Sequence, residues 1–400
     1  MKIGIDARFY GILGKGLGRY TEQLILALER GESVSGTNEY YIFLRTENFD
    51  DYQPQRTNFH KVLADYQWYS FTEQFGFVQL LLRYHLDLMH FPHFNVPLFY
   101  WRPFVVTIHD LILLQYPTQK ASTRHFLFYW GKFLVYRMVI ASALRRARAI
   151  IAVSKFTRDD LRRQYHFLRH RPIVVTYQAA TNFCRWQSPV HSRQMIREIL
   201  LRADKTLVGD SPENMAVPEF LLYVGNAYPH KNLERLARVF GSLASTGKRL
   251  VFVGRPDYFY RRLRRMVDRE QITNCFFVGG VNDEELPLLY RFARGYIFPS
   301  LYEGAGLPPL EAMTYGLPVA VTERTSLPEM VGEAALFFNP KNERSIRDVI
   351  ERLWMDEALR DTLREAGFQQ IRKFSWDTLA QQTRKVYKKA VCYTKGKSVS

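Results

Sequence analysis

Short, almost continuous apolar runs alternate along most of the chain with longer stretches whose apolar residues recur at helical spacing. In the first half MKIGID, YYIFLRT (40–46), DLMHFP (87–92), FVVTIHD (104–110) and AIIAVS (149–154) read as strands. Strands apolar on both faces are those of a parallel sheet covered by helices. Between them lie helical patterns. GKGLGRYTEQLILALER places Leu24, Ile25 and Leu28 on one stripe, and SKFTRDDL opens a helix with Ser154 as its N-cap. Residues 122–148 form a long helical stretch, apolar on most faces, aromatic and basic; it reads as a core helix, with a membrane-interface helix as the alternative.

The periodicity fades from about Cys184 to Pro218, where polar residues such as GDSPEN (209–214) gather. A second alternation of strands and helices starts at FLLYVG (220–225) and runs to about Phe368, and SWDTLAQQTRKVYKKAV (375–391) is a final helix. The expected organisation is an α/β protein of two doubly wound parallel-sheet domains. Residues 1–183 form the first, 184–218 connect, 219–374 form the second, and 375–400 make a terminal helix.

Composition changes this picture in two places. The 56 basic and 39 acidic residues leave a net charge of +17, which calls for an anionic partner: a phosphorylated substrate, a membrane surface or a nucleic acid. The three cysteines, Cys184, Cys275 and Cys392, have no metal or redox spacing, and a reducing, cytoplasmic compartment is expected. MKIGID is itself a strand and does not read as a signal peptide, and no run reaches the ~20 apolar residues of a transmembrane helix.

The chemistry concentrates in YIFPSLYEGAGLPPLEAMTYGLPVAV (296–321). A buried strand at 296–299 feeds a glycine loop, a short helix and a second strand. Pro308 and Pro309 suit the helix's first turn, Gly316 suits a left-handed end, and Pro318 prevents continuation. The loop therefore carries Glu303, Gly304, Ala305, Gly306 and Leu307 to the carboxyl end of a strand before a helix N-terminus, a place for ligands and for phosphate. Glu303 and Glu311, with seven residues between them, add carboxylates that would bind hydroxyls. A nucleotide-sugar offers phosphate, ribose and sugar together.

This stretch resembles the E-x7-E donor signature of retaining GT-B glycosyltransferases of the large mannosyl/glucosyltransferase-like family (group 1, family 4). YVGNAYPHKNLERL (223–236), LVFVG, GGVNDEELPLLY (279–290) and SLPEMVG (326–332) follow in that family's order. GKGLGRYT (14–21), WYSFTEQ (68–74), HFPHFNVP (90–97), TIHD (107–110) and AVSKFTRDDL (152–161) match more loosely.

The resemblance implies a GT-B fold, its two sheets facing a cleft and its last helix crossing back to the first domain. It implies transfer of a hexose, with mannose from GDP-mannose as the first reading and a UDP-sugar as the second. The acceptor is a saccharide or a polyprenyl-linked saccharide in surface polysaccharide or glycolipid synthesis. No metal or other cofactor is required, no nucleic acid is bound, and a weak contact with an anionic membrane surface is expected through 122–148 and RRLRRM (261–266). It implies catalytic roles for His109, Lys231 and Glu303. Donor-binding roles fall to Gly16, Gly18, Asn226, Lys231, Glu303, Gly304, Ala305, Gly306, Leu307 and Glu311.

Two departures stand out. Asn226 occupies the place of a phosphate-binding arginine, for which Arg255 or Arg19 could substitute. Ala305 stands where the family carries a large aromatic. Competing readings are a dinucleotide enzyme, a catalytically silent sugar-binding relative, and a basic nucleic-acid- or membrane-binding protein. Gly14, Gly16 and Gly18 do not make the G-x-G-x-x-G turn the first requires. An intact His109, Lys231 and Glu303 argue against the second, and RRLRRM alone is a short cluster for a nucleic-acid platform.

Overall fold

The computed structural model describes residues 1–11, 15–32, 38–116, 126–180, 189–204 and 217–392. Gly14, Cys184, the GDSPEN segment and part of the 122–148 stretch lie outside them. Two compact units are present, one of Met1–Gln178 with Ser375 onward and one of Ala179–Phe374.

The first unit holds β1 (Lys2–Asp6), β2 (Glu39–Leu44), β3 (Phe59–Leu63), β4 (Leu88–Phe91), β5 (Phe104–Ile108), β6 (Ala149–Ala152) and β7 (Ile173–Val175). All pair in parallel in the order β3-β2-β1-β4-β5-β6-β7. The chain leaves β1 toward β2 and β3, then returns to lay β4 on the other side of β1. That reversal is a topological switch point, where the loops after β1 and β4 diverge.

Both faces of the sheet are covered, which is why its central strands are mostly apolar. Leu24 and Leu28 of helix Lys15–Gly31 pack with Leu379 and Val386 of helix Trp376–Cys392 on one face. Phe77, Leu81, Ile140, Leu144 and Leu161 fill the other. Ser154 caps helix Lys155–Gln164 as its sequence predicts, accepting from the Thr157 amide at 3.0 Å. Helix Phe126–Arg146 is two-sided: Ile140, Ala143 and Leu144 are core, while Leu134, Val135 and Met138 face water.

In the second unit β8 (Leu221–Val224), β9 (Leu250–Val253), β10 (Cys275–Gly279), β11 (Gly295–Phe298), β12 (Val319–Thr322) and β13 (Ala335–Phe338) form a parallel sheet, ordered β10-β9-β8-β11-β12-β13. The switch point here lies between β8 and β11. Helix Pro189–Leu201, within the stretch read as a connector, belongs to this unit: Arg202 just after it pairs with Glu285, and Ile196 and Leu200 are buried. The RRLRRM segment lies on helix Tyr258–Arg269, where Leu263 and Met266 are core and the arginines face solvent. Its apolar residues therefore hold the fold together, and its basic residues lie on the surface.

The terminal helix is tied to the first sheet by polar as well as apolar contacts. The Tyr387 hydroxyl lies 2.6 Å from His90 Nδ1, and His90 Nε2 lies 2.9 Å from Thr107 Oγ1. His90 is wholly buried, and desolvation, with a smaller contribution from His109, pushes its pKa down to about 3. The unfolded chain takes up this proton near pH 6.5, whereas the folded chain resists to about 3. The stability it contributes is thus complete above pH 6.5 and is lost as pH falls, by at most about 1.4 kcal/mol per pH unit. Thermal unfolding followed between pH 7 and pH 4 should show this loss, and His90→Gln should make it shallower by this one histidine's share while lowering stability at pH 7.

Candidate active site

Lys231 and Glu303 come from loops that follow β8 and β11, the two strands flanking the second unit's switch point. A single 3-10 turn, Pro229–Lys231, follows β8, and Asn232 takes a left-handed conformation (φ 60°) to start helix Leu233–Gly241. The Leu301 amide donates to the His230 carbonyl at 2.7 Å, which locks the two loops together. Across that lock Lys231 Nζ meets Glu303 Oε1 at 2.5 Å, and both side chains are only 10% exposed. The ammonium also lies 5.0 Å from the centre of the Phe298 ring.

The backbone of Glu303 is held from a third element. Its amide donates to Thr325 Oγ1 at 3.1 Å, and Ser326 Oγ donates to its carbonyl at 3.1 Å. Thr325 adopts φ 61°, a conformation that costs a β-branched residue ~1–3 kcal/mol and so needs its surroundings to enforce it. The SLPEMVG motif thus begins by positioning Glu303. His230 is buried beside the ammonium; desolvation first and Lys231 second push its pKa down to about 3, so it is neutral.

Helix Leu307–Thr314 begins at Gly306, which is left-handed (φ 64°), and a Cβ there would lie 2.6 Å from Leu327 Cδ2. Gly316 ends it at φ 69°. The prolines stand at the helix's second and third positions and carry no amide hydrogen. An anion at this helix would therefore be met by Leu307 and by the amides of residues 304–306, not by a full first turn. Glu311, half-buried, accepts from the Tyr290 hydroxyl at 3.5 Å. Asn226 is exposed at the end of β8, and its side-chain oxygen accepts from the Tyr228 amide at 3.3 Å. Arg255, after β9, is exposed in the same unit; Arg19, half-buried, belongs to the first unit.

The first unit gathers its own set. His109 follows β5. Its Nε2–H donates to the Pro92 carbonyl at 2.8 Å, the Gln178 amide donates to Nδ1 at 3.2 Å, and the Tyr20 ring sits edge-on at 4.6 Å. Desolvation, partly offset by the Pro92 contact, brings the His109 pKa down to about 4. The imidazole is neutral, with its tautomer fixed by these two bonds. Tyr20 belongs to the helix that carries Gly16 and Gly18. A Cβ at Gly18 would lie 2.0 Å from the Gly11 carbonyl oxygen, so close backbone packing explains that glycine. Gly16 is exposed, with open space around it.

The sequence reading missed the charged network at this unit's switch point. Arg8, just after β1, makes a two-pronged pair with Asp6 (2.8 Å for each bond) and reaches Glu73 Oε1 at 2.7 Å. Asn95 Nδ2 donates to the same oxygen at 2.8 Å, the Tyr69 amide donates to Glu73 Oε2 at 2.7 Å, and Phe77 lies 4.0 Å below the guanidinium. Desolvation raises the Glu73 pKa, against the opposing pull of Arg8. The available signal was the DAR triplet ending an apolar strand. Among the described residues no group of three or more His, Cys, Asp or Glu side chains could hold a metal ion.

Because both partners of the Lys231–Glu303 pair are buried, removing one strands the other. Lys231→Met should cost about 3–5 kcal/mol of stability, and adding Glu303→Gln should return much of it. Chemical denaturation of the two variants beside the parent measures this directly.

Comparison with known proteins gives each unit a family match of its own. A family model for glycosyl transferases group 1 matches residues 211–370, and one for glycosyltransferase family 4 matches residues 14–179. O-antigen chain mannosyltransferase B of Escherichia coli is 30% identical over 305 residues, 75% of this chain and 74% of that protein. O-antigen chain mannosyltransferase RfbU of Salmonella typhimurium is 23% identical over 78% of this chain and 77% of its own. Among solved structures, sucrose-phosphate synthase from Thermosynechococcus elongatus superposes with a TM-score of 0.72 at 20% identity, covering 98% of this chain and 100% of that one. Anabaena Alr3699/HepE in complex with UDP and glucose gives 0.70 at 15% identity, covering 97% and 99%. The fold is GT-B, and the chain belongs to the group 1 family of glycosyl transferases.

Proposed function

We propose that this chain transfers mannose from GDP-mannose to a saccharide or polyprenyl-linked acceptor, with retention of configuration, in the synthesis of a surface polysaccharide or glycolipid. The observation that carries the reading is the buried Lys231–Glu303 pair at the switch point, beside the glycine loop that opens helix Leu307–Thr314. Two mannosyltransferase relatives support the choice of sugar. The complex of HepE with UDP and glucose supports a nucleotide-sugar in general and keeps a UDP-sugar as the second donor reading. We place the work in the cytoplasm, at the inner face of a membrane.

Breaking the anomeric C–O bond leaves charge on the departing diphosphate, so the groups that matter most are cations and amides aimed at it. Lys231 takes that role, with the amides of Gly304, Ala305, Gly306 and Leu307 around the phosphates. Asn226, with its loop, lines the same side, and Gly16 leaves room for the donor where Gly18 serves packing. Glu303 addresses the sugar hydroxyls and Glu311 those of ribose. His109, neutral and oriented by two hydrogen bonds, offers the transferred sugar a fixed polar surface and is not a proton carrier at neutral pH.

The two carboxylates should separate kinetically. Glu303→Gln should lower kcat strongly without weakening the binding of free GDP, because the sugar ring gains positive charge only in the transition state and Lys231 is left free for the diphosphate. Glu311→Gln should weaken GDP and GDP-mannose alike with little change in kcat, since ribose lies far from the breaking bond. A Glu303→Gln enzyme working at the parent rate would overturn the assignment. Thermal shift with GDP-mannose and UDP-glucose tests the donor: stabilisation by UDP-glucose alone would replace GDP with UDP.

A further inference from the structure

Three tyrosine hydroxyls converge on the backbone carbonyls at the carboxyl end of β8. Tyr296, on β11, donates to the Val224 carbonyl at 3.1 Å. Tyr260, on helix Tyr258–Arg269, donates to the Gly225 carbonyl and to the Val253 carbonyl, each at 2.9 Å. Tyr223, on β8 itself, donates to the Asn226 carbonyl at 2.7 Å. All three side chains are buried. Burial raises the pKa of each above the ordinary tyrosine value, so the hydroxyls remain proton donors throughout the working pH range.

In a trans peptide the N–H points away from the carbonyl of the residue before it. The end of β8 follows this rule: the Val224 carbonyl meets Tyr296, while the Gly225 amide donates across to the Val253 carbonyl of β9 at 3.0 Å. The tyrosines turn the next two peptides in the same manner. With the Gly225 and Asn226 carbonyls held against buried hydroxyls, the amides of Asn226 and Ala227 point away from Tyr260 and Tyr223. Among the described residues neither amide meets an acceptor, and Asn226 is exposed and Ala227 half-buried. Two glycines make room for this turn. Gly225 takes φ 150°, and a Cβ there would lie 2.8 Å from Tyr223 Oη. A Cβ at Gly254, the residue after β9, would lie 2.2 Å from the Gly225 carbonyl oxygen.

We infer that the Asn226 and Ala227 amides form a seat for a phosphate oxygen of the donor, and that Tyr223 and Tyr260 are the residues that position it. Successive amides left open at the end of a strand are an anion site. The surrounding charge has the right sign. Lys231 lies in the same loop, and the exposed Arg255 follows Gly254 on the neighbouring strand. The carboxylates of these loops are already engaged, Glu303 by Lys231 and Asp257 by the amides of Phe259 and Tyr260. Without the hydroxyls the same carbonyls would be free to turn outward and repel a diphosphate. The inference rests on the donor reading above and deepens it, adding backbone groups of the β8 loop to the cation that the loop supplies.

The test reads the seat directly. Asn226–Ala227 is the one Asn–Ala step in the chain, so isotopic labelling of asparagine at the carbonyl carbon and of alanine at the nitrogen isolates the Ala227 amide as a single NMR signal. Inorganic pyrophosphate and GDP should both move its proton downfield, as for an amide gaining a charged acceptor, and guanosine should not. Tyr223→Phe and Tyr260→Phe, which keep their rings, should each raise the Kd for GDP roughly threefold to tenfold, the factor of one neutral hydrogen bond. Their Kd for guanosine should stay that of the parent, whereas a tyrosine serving only the fold would weaken both ligands alike or neither. UDP and uridine take the same places if UDP is the donor. An Ala227 signal unmoved by saturating pyrophosphate and nucleoside diphosphate would overturn the inference, as would variants that lose GDP and guanosine affinity equally or not at all. Should a variant fail to fold, the Ala227 signal of the parent decides. A parent that binds neither GDP nor UDP would sink the donor reading, and a shift with pyrophosphate alone would then leave the anion seat standing.

Discussion

The ion pair between Lys231 and Glu303 is the constraint on which the second unit's site depends. Its partners are 72 residues apart, and two strand–helix excursions separate them. They meet because β8 and β11 are neighbours, because Leu301 bonds to His230, and because Thr325 and Ser326 fix the Glu303 backbone. A buried pair of this kind is not favourable simply for being paired, since removing both charges from water offsets most of their attraction. In the proposed reading the cost has a use. Glu303 holds the ammonium in register, and a diphosphate competes for it from a site already shaped by the glycine loop. Low exposure on both sides makes that exchange strong, because few waters screen it.

The first unit repeats the arrangement with different residues. Its switch point also carries buried charge, but Arg8 is shared by Asp6 and Glu73 and its network is closed by Asn95 and the Tyr69 amide. The result is three segments fixed at one end of the sheet: the turn after β1, the 66–73 loop and the loop after β4. Tyr69, held at φ 61°, is a product of that fixation.

Much of this was legible in the chain, for physical reasons. Strands buried on both faces must be mostly apolar, and FVVTI and LVFV could hardly be anything else. Ser154, Gly306 and Gly316 sit where capping and left-handed geometry demand them. The Glu303–Glu311 spacing could be read because both residues belong to one loop–helix unit. The pairing of Lys231 with Glu303, and of Arg8 with Glu73, could not, since strand order sets it and not sequence distance. Helix Pro189–Leu201 was obscured by polar flanks. In VPLFYW, residues 96–101, the alternation of buried Val96 and Tyr100 with exposed Leu98, Phe99 and Trp101 has no counterpart in hydropathy, because every residue is apolar.

The central claim is that Lys231 leaves its carboxylate for the donor's diphosphate. Calorimetric titration of GDP into the parent and into Lys231→Ala, with folding verified for both, tests it most directly. Loss of one charge-assisted contact in a sheltered site should cost about 1.5–3 kcal/mol, which is roughly a tenfold to 150-fold rise in Kd. Affinity in the variant equal to that of the parent would contradict the account.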